Sequence, residues 1–188
     1  MHKLRLYIAI LTFYGLLLSC KEPSNFESKL THEQTFAFEQ AQNNGLLVNE
    51  GLERCRRFVN DWLVFADSTS GLIPQNLYAG REIWNAKDAA ADNYPFMVLT
   101  TAITDHELFK ERMIEMLKNE TRLTSRIDRL PDTYSFRKKG FENPRADLES
   151  IMFGSSEYIK DGLLPLTEWL GESPWSERMT GILDDMWK

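Results

Sequence analysis

VNEGLERCRRFVNDWLVFA, residues 48–66, decides the fold class. Its apolar residues Val48, Leu52, Cys55, Val59, Trp62 and Ala66 recur at steps of three and four, the spacing that places side chains on one stripe of an α-helix. The stretch therefore predicts a helix of about five turns, buried along one side. Asp67-Ser68-Thr69-Ser70-Gly71 then supplies turn chemistry, and Pro74 argues against helix continuing through the loop.

The same style repeats downstream. In Asp92-Asn93-Tyr94-Pro95, Pro95 suits a first helical turn and Asp92 or Asn93 suits its cap. Phe96 to Ile103 is apolar nearly all round, which predicts a central packed helix too short to span a bilayer. Thr104-Asp105-His106-Glu107 matches a capping box. With the stripe Leu108, Phe109, Met113, Met116 and Leu117 behind it, residues 95–122 read as a helical hairpin. Ser125 to Pro144 holds Pro131, Tyr134, Phe136, Gly140 and Phe141 and reads as a long irregular loop, of a length usually reserved for lids and binding loops. Leu148 to Leu170 is helical, bent at Gly162 and Pro165 and stopped by Gly171. Ser173-Pro174 opens a last helix with the stripe Trp175, Met179, Ile182, Leu183 and Met186. The expectation is an all-α chain of five or six helices paired as hairpins, with no alternating strand.

The N-terminus carries a different message. His2, Lys3 and Arg5 precede an apolar run from Leu6 to Leu18, and Leu17-Leu18-Ser19-Cys20 closes it with a small residue and a cysteine. This stretch resembles the bacterial lipobox. The resemblance implies a lipoprotein signal peptide over 1–19, cleavage before Cys20 and acylation of Cys20. It also implies attachment to a membrane of the bacterial cell envelope, the outer membrane by expectation, with the facing side left open. Two or more acyl chains, at about 0.8 kcal/mol per buried CH₂, make a stable anchor. Residues 20–30, with Lys21-Glu22-Pro23-Ser24-Asn25, read as a lipidated polar tether, and 31–188 as one helical domain.

Composition narrows the partners. The formal charge of −6 includes Lys3 and Arg5, which leave with the leader. Acids and bases are interspersed, and Arg54-Arg56-Arg57 and Arg137-Lys138-Lys139 are too short for a basic stripe, so no nucleic-acid partner is expected. Lipid consumes Cys20, leaving Cys55 without an internal disulfide partner, as a small hydrophobe of the helical stripe. His32 and His106 are far apart without a Cys/His cluster, so neither a metal site nor a cofactor is expected. The nucleophile elbow, the P-loop and the dinucleotide fingerprint are all absent.

Four stretches carry a second resemblance: Gly71-Leu72-Ile73-Pro74, Trp84 through Tyr94-Pro95, Leu130-Pro131-Asp132-Thr133-Tyr134, and Gly154-Ser155-Ser156-Glu157-Tyr158. Helical hairpins joined by long loops rich in Trp, Tyr, Asp and Glu resemble the (α/α) toroids of six-hairpin glycosidase-like enzymes, over roughly residues 45–188. The resemblance implies a partial (α/α) toroid that handles carbohydrate, and the chain holds about half the helices of a complete one. The expectation is the N-terminal part of a longer toroid, with a smaller complete helical layer as the other reading.

Glycoside cleavage needs two carboxyl groups, one donating a proton and one acting as base or nucleophile. Asp88 and Asp92 are four apart, as are Glu157 and Asp161, so each pair shares a helix face. Mutual repulsion would raise one carboxyl of a pair, which suits acid catalysis. These four are the candidate catalytic groups. Trp84, Tyr94 and Tyr134 are candidate sugar platforms, and Asn93 and Asp132 candidate hydroxyl ligands. Enzyme and binder both stand at this point. The alternative is a non-catalytic helical lipoprotein that binds a glycan or a partner protein through its long loop and exposed aromatics. The oligomeric state is left open.

Overall fold

The structure is a computed structural model, and it describes residues 31–188. The leader, Cys20 and the whole tether, residues 1–30, lie outside the described residues. Two units divide the chain between Gly45 and Leu46, so the expected domain start at residue 31 falls in the first unit.

Five helices make the described residues mostly helical. Helix α1 spans His32–Leu63. It opens on a reciprocal cap in which the Gln34 amide donates to Thr31 Oγ1 at 3.2 Å and the Thr31 amide donates to Gln34 Oε1 at 2.8 Å. Val59 is its only buried residue, with Phe58, Trp62 and Leu63 packed partly against the core. Val48, at the head of the expected stripe, is exposed, as are Leu46 and Leu47. The spacing located the helix, but a periodic stripe marks a face and not what covers it.

Asp67 ties the following turn. Its Oδ2 accepts from the Ser70 amide at 2.7 Å and the Ser70 hydroxyl at 2.8 Å, and Gly71 takes φ 73°, where a Cβ would be strained. Leu72 and Ile73 then enter the core fully buried.

Helix α2 begins as a π-helical stretch at Ala86–Asn93 and continues as α-helix over Tyr94–Thr104. Its cap is Asn85, whose Oδ1 accepts from the Asp88 and Ala89 amides, both at 3.1 Å. Neither Asp92 nor Asn93 caps a helix here. Pro95 instead follows the π turn inside a continuous helix, where the interrupted i→i−4 ladder already frees the position of its missing N–H. Met97, Val98, Thr100 and Thr101 are buried, whereas Phe96 and Ile103 are exposed, so the helix is central without being covered all round.

Helix α3 runs through His106–Leu108, a π turn at Phe109–Met113 and α-helix at Ile114–Thr124. The capping residue is Asp105, whose Oδ1 accepts from the Leu108 amide at 3.0 Å. Thr104, the expected cap, instead donates its hydroxyl to the Thr100 carbonyl at 2.7 Å and closes α2.

The long segment after α3 is not irregular. Strand β2 (Ser125–Ile127) folds back on β3 (Leu130–Pro131), and β4 (Tyr134–Ser135) lies between β5 (Gly140–Phe141) and β1 (Ile83–Trp84), all antiparallel. Asp128 and Lys139 take the left-handed conformation in these connections, at φ 47° and 51°. The expectation of an all-α chain is corrected to a mostly helical one with two small sheets. The physical reason is that Leu130, Tyr134 and Ser135 are buried, and buried backbone amides and carbonyls require partners.

Helix α4 is composite as well: α-helix at Leu148–Glu157, a π turn at Tyr158–Leu163 and α-helix at Leu164–Leu170. Gly162 lies against α2 so closely that a Cβ there would stand 2.9 Å from the Ala90 carbonyl oxygen and 2.9 Å from Tyr158 Cδ2. Gly154 meets Ala86 in the same way at 3.5 Å. Small residues thus join the π segment of α2 to α4. Gly171 ends α4 at φ 65°, and α5 spans Pro174–Met186 behind the Ser173 cap. Trp175 and Ile182 complete the core of Met97, Met113, Ile151, Leu163 and Leu166. Each such fully buried side chain contributes about 1.5 to 3 kcal/mol of transfer free energy. No helix among the described residues is long and apolar enough to cross a membrane.

Candidate functional site

The four expected catalytic acids meet. Asp88 and Asp92 on the π segment of α2, and Glu157 and Asp161 where α4 turns π-helical, lie on the two helices that Gly162 brings together, near enough for the other three charges to act on Asp92. The Asp92 carboxyl is pushed above the usual carboxylate range, first by loss of surrounding water and then by the charges of Asp88, Asp161 and Glu157. Lys160 bridges the α4 side of the cluster, with Nζ 2.8 Å from Glu157 Oε1 and 3.2 Å from Asp161 Oδ2. Hydrogen bonds to both acids raise the Lys160 ammonium. Asp88 accepts from Asn85 Nδ2 at 2.6 Å. Asp92 and Asp161 are exposed, and Asp88 and Glu157 half-buried. Chemically the cluster offers one carboxyl, Asp92, whose protonated form is favoured by lost water and by the negative charge around it.

The sugar platforms do not join it as platforms. Trp84, Tyr94 and Tyr134 are 2 %, 4 % and 5 % exposed and offer no ring face to a ligand arriving from solvent. Trp84 and Tyr134 stand opposite each other in the β1–β4 ladder. Tyr94 donates its hydroxyl to the Met113 carbonyl at 2.7 Å and accepts from Trp175 Nε1 at 2.9 Å, a buried bridge between α2, α3 and α5. Burial raises the Tyr94 hydroxyl far above the usual tyrosine range. Asp132 is held by Arg126 Nη1 at 2.8 Å and accepts from the Thr133 amide at 2.7 Å, so it fixes its loop. Asn93 is half-buried and makes no capping bond. The cavity beside Asn85, Asp132 and Gly154 measures about 70 Å³, too little for a sugar ring.

A second polar constellation went unread in the sequence. Arg178 on α5 donates from Nε and Nη2 to the Glu120 carboxylate on α3 at 3.0 and 2.6 Å, and each side chain is 4 % exposed. Arg178 Nη1 donates to the Arg129 carbonyl at 2.6 Å, and Thr124 Oγ1 donates to Glu120 at 3.0 Å. Burial works against the Arg178 charge, and the Glu120 carboxylate outweighs it, so the guanidinium stays firmly charged. Tyr158, fully buried and raised first by burial and then by the Glu120 charge, keeps its hydroxyl without a partner among the described residues. The network continues outward through Arg129, which donates from Nε and Nη2 to Asp185 at 2.6 and 2.9 Å. That fork, followed by Lys188, holds the Asp185 carboxyl well below the usual range. A signal existed: Glu120 follows Met116 and Leu117 by helical steps, and Arg178 and Asp185 follow Trp175 and Ile182 by three, so charges occupy apolar-stripe positions.

Beside this network a groove runs along α5, and only its first part is walled by α3 as well. One part, about 400 Å³, is walled by Leu117, Lys118, Thr121, Arg122 and Arg178, and a second, about 740 Å³, by Glu172, Ser173, Ser176, Thr180 and Asp184. Arg129, Pro174, Glu177 and Gly181 border both. Their size lies in the range of small-ligand sites, about 300 to 1,000 Å³. Among the described residues, no group of three or more His, Cys, Asp or Glu is placed to hold a metal ion. No protein-family model, curated protein or solved structure matches this chain.

Proposed function

We propose that this chain is a lipid-anchored helical protein of the bacterial envelope that binds carbohydrate without cleaving it. The observation that carries the reading is the groove along α5. It is large enough for a sugar and is lined by exposed charged side chains, Lys118 and Arg122 in one part and Glu172 and Asp184 in the other, with Glu177 bordering both. The aromatics that would flank a cleavage site beside the acid cluster are committed to the core instead. On this reading the hairpins belong to a partial (α/α) toroid, an arrangement supported by α2 and α3 joined at Asp105 and by α4 laid along α2.

The test is a glycan panel presented to the full chain, scored for binding and turnover together. Binding without turnover is the expected result, and no binding to any member removes the reading. For the anchor, Cys20→Ala should release the protein from the membrane fraction. Persistence of the variant there would refute lipidation at Cys20.

A second reading, glycoside hydrolysis, is favoured by one observation, the raised Asp92 carboxyl among three acids. It requires turnover that Asp92→Asn abolishes.

A further inference from the structure

We propose that the groove along α5 takes an acidic oligosaccharide, its uronate carboxylate against Lys118 and Arg122 of α3 and its neutral hydroxyls running over Glu177 toward Thr180 and Asp184. The proposal rests on the carbohydrate-binding reading above and adds a location and a ligand class.

The charges around the groove are unequal in kind. Arg178 and Arg129 are already matched, the first by Glu120 and the second by Asp185, so the floor is neutral and rigidly held. Lys118 and Arg122 are not matched. Neither forms an ion pair among the described residues, and Arg122 donates only to Asn119 Oδ1, at 3.1 Å. They lie four apart on α3, both exposed, in a chain whose formal charge is −6. Like charges at that spacing destabilise a helix slightly, and an anion lying between them relieves the repulsion. The N-terminal end of the 13-residue helix α5, where Pro174 borders both parts of the groove, adds the positive end of a helix dipole.

The other part of the groove has the opposite character. Glu172 and Asp184 stand there with Ser176 and Thr180, and Glu177 borders both parts. Carboxylates accept from sugar hydroxyls and repel further anions. A polyanion therefore meets repulsion along that half, whereas one carboxylate followed by neutral sugar satisfies both. Arg129, Pro174, Glu177 and Gly181 border both cavities, so the proposed ligand crosses from one to the other over these residues.

The test compares cellobiose with its uronate counterpart, in which one C6 alcohol is a carboxylate, by titration calorimetry on the full chain in detergent. The expected result is binding about tenfold tighter for the uronate at low salt, a preference that shrinks as salt rises and disappears in Lys118→Gln/Arg122→Gln. Both positions are exposed, so the variant keeps its fold, checked by circular dichroism, and Lys118→Glu serves as an independent charge reversal. Equal binding of the two sugars, unaltered by these substitutions, overturns the inference while leaving carbohydrate binding intact. A uronate preference that survives the double substitution overturns the location. Failure of both sugars and of the wider panel removes the binding reading and this inference with it. Tighter capture of a polyglutamate peptide than of the uronate, lost in the same variants, overturns the ligand class.

Discussion

Two polar constellations in this molecule use the same ingredients to opposite ends. The pair Glu120 and Arg178 is closed to water, balanced in charge and bonded at three guanidinium nitrogens. The cluster of Asp88, Asp92, Glu157 and Asp161 is open to water, carries excess negative charge and has Lys160 as its counter-ion. Burial explains the contrast. Desolvation makes an unmatched charge expensive, so the interior admits only complete pairs, whereas the surface tolerates an unbalanced group at modest cost. Identical residue types thus differ in consequence by several kcal/mol according to what surrounds them.

The contrast breaks most sharply at Arg178. Arg178→Ala leaves the Glu120 carboxylate buried without its partner, and thermal or urea unfolding should show a loss of about 3 to 5 kcal/mol. Replacing both partners by apolar residues, Glu120→Leu with Arg178→Met, should recover most of it, because no charge is then stranded. If the single substitution costs no more than an exposed one, the interior pair is not what distinguishes the two regions.

Next in size is the seam that assembles the acid cluster. Gly162→Ala drives a methyl to 2.9 Å from the Ala90 carbonyl oxygen, within a packed helix pair. Overpacking of this kind costs about 1 to 3 kcal/mol. It should also separate α2 from α4 and weaken the influence of Asp161 and Glu157 on Asp92. Carboxyl titration followed by NMR would register that as a lower Asp92 midpoint, and an unchanged midpoint would mean that the seam does not set the cluster.

What could be read beforehand follows the same division. The helices, the turn at Asp67 to Gly71, the stop at Gly171 and the Ser173 cap were legible because each depends on residues within a few positions of one another. The i, i+4 acids were legible for that reason too. Their union into one cluster was not, since it depends on Gly162 meeting Ala90 across more than seventy positions. Trp84, Tyr94 and Tyr134 have the composition of a sugar site, and only tertiary packing reveals that they face inward. The segment after α3 looked irregular because its strands are two or three residues long, below what alternation can mark. Glu120 and Arg178 were overlooked because charged residues suggest solvent until the stripe they interrupt is noticed.

A pH series separates the Arg129–Asp185 fork from the acid cluster. The fork depresses the Asp185 carboxyl in the folded state, so the folded protein binds fewer protons there than the unfolded chain. Its stabilisation is complete above the ordinary carboxylate range, near pH 4, and declines as pH falls below it toward the folded value. Asp185→Asn should therefore flatten the acid limb of the stability profile and lower stability at neutral pH. A steep acid limb that survives the substitution assigns the sensitivity elsewhere.

Asp92 has the reverse sign and the smallest effect. Its carboxyl is raised in the folded state, so folding opposes its ionisation. The protonated form is favoured at low pH, and that advantage is lost as pH rises through the raised value. Asp92→Asn removes a charge from a crowded exposed cluster and should raise Tm at pH 7 by about 1 to 2 °C. The gain should vanish below about pH 4, where the wild-type carboxyl is protonated as well. This small stabilisation bears on function because a surface cluster under no catalytic constraint yields it without loss of ligand binding. If Asp92→Asn gains stability and keeps every affinity in the glycan panel, the cluster is electrostatic surface and the groove carries the activity. If it gains stability and abolishes turnover of a glycan, the frustration at Asp92 serves proton donation, and the open constellation rather than the closed one is where the chemistry occurs.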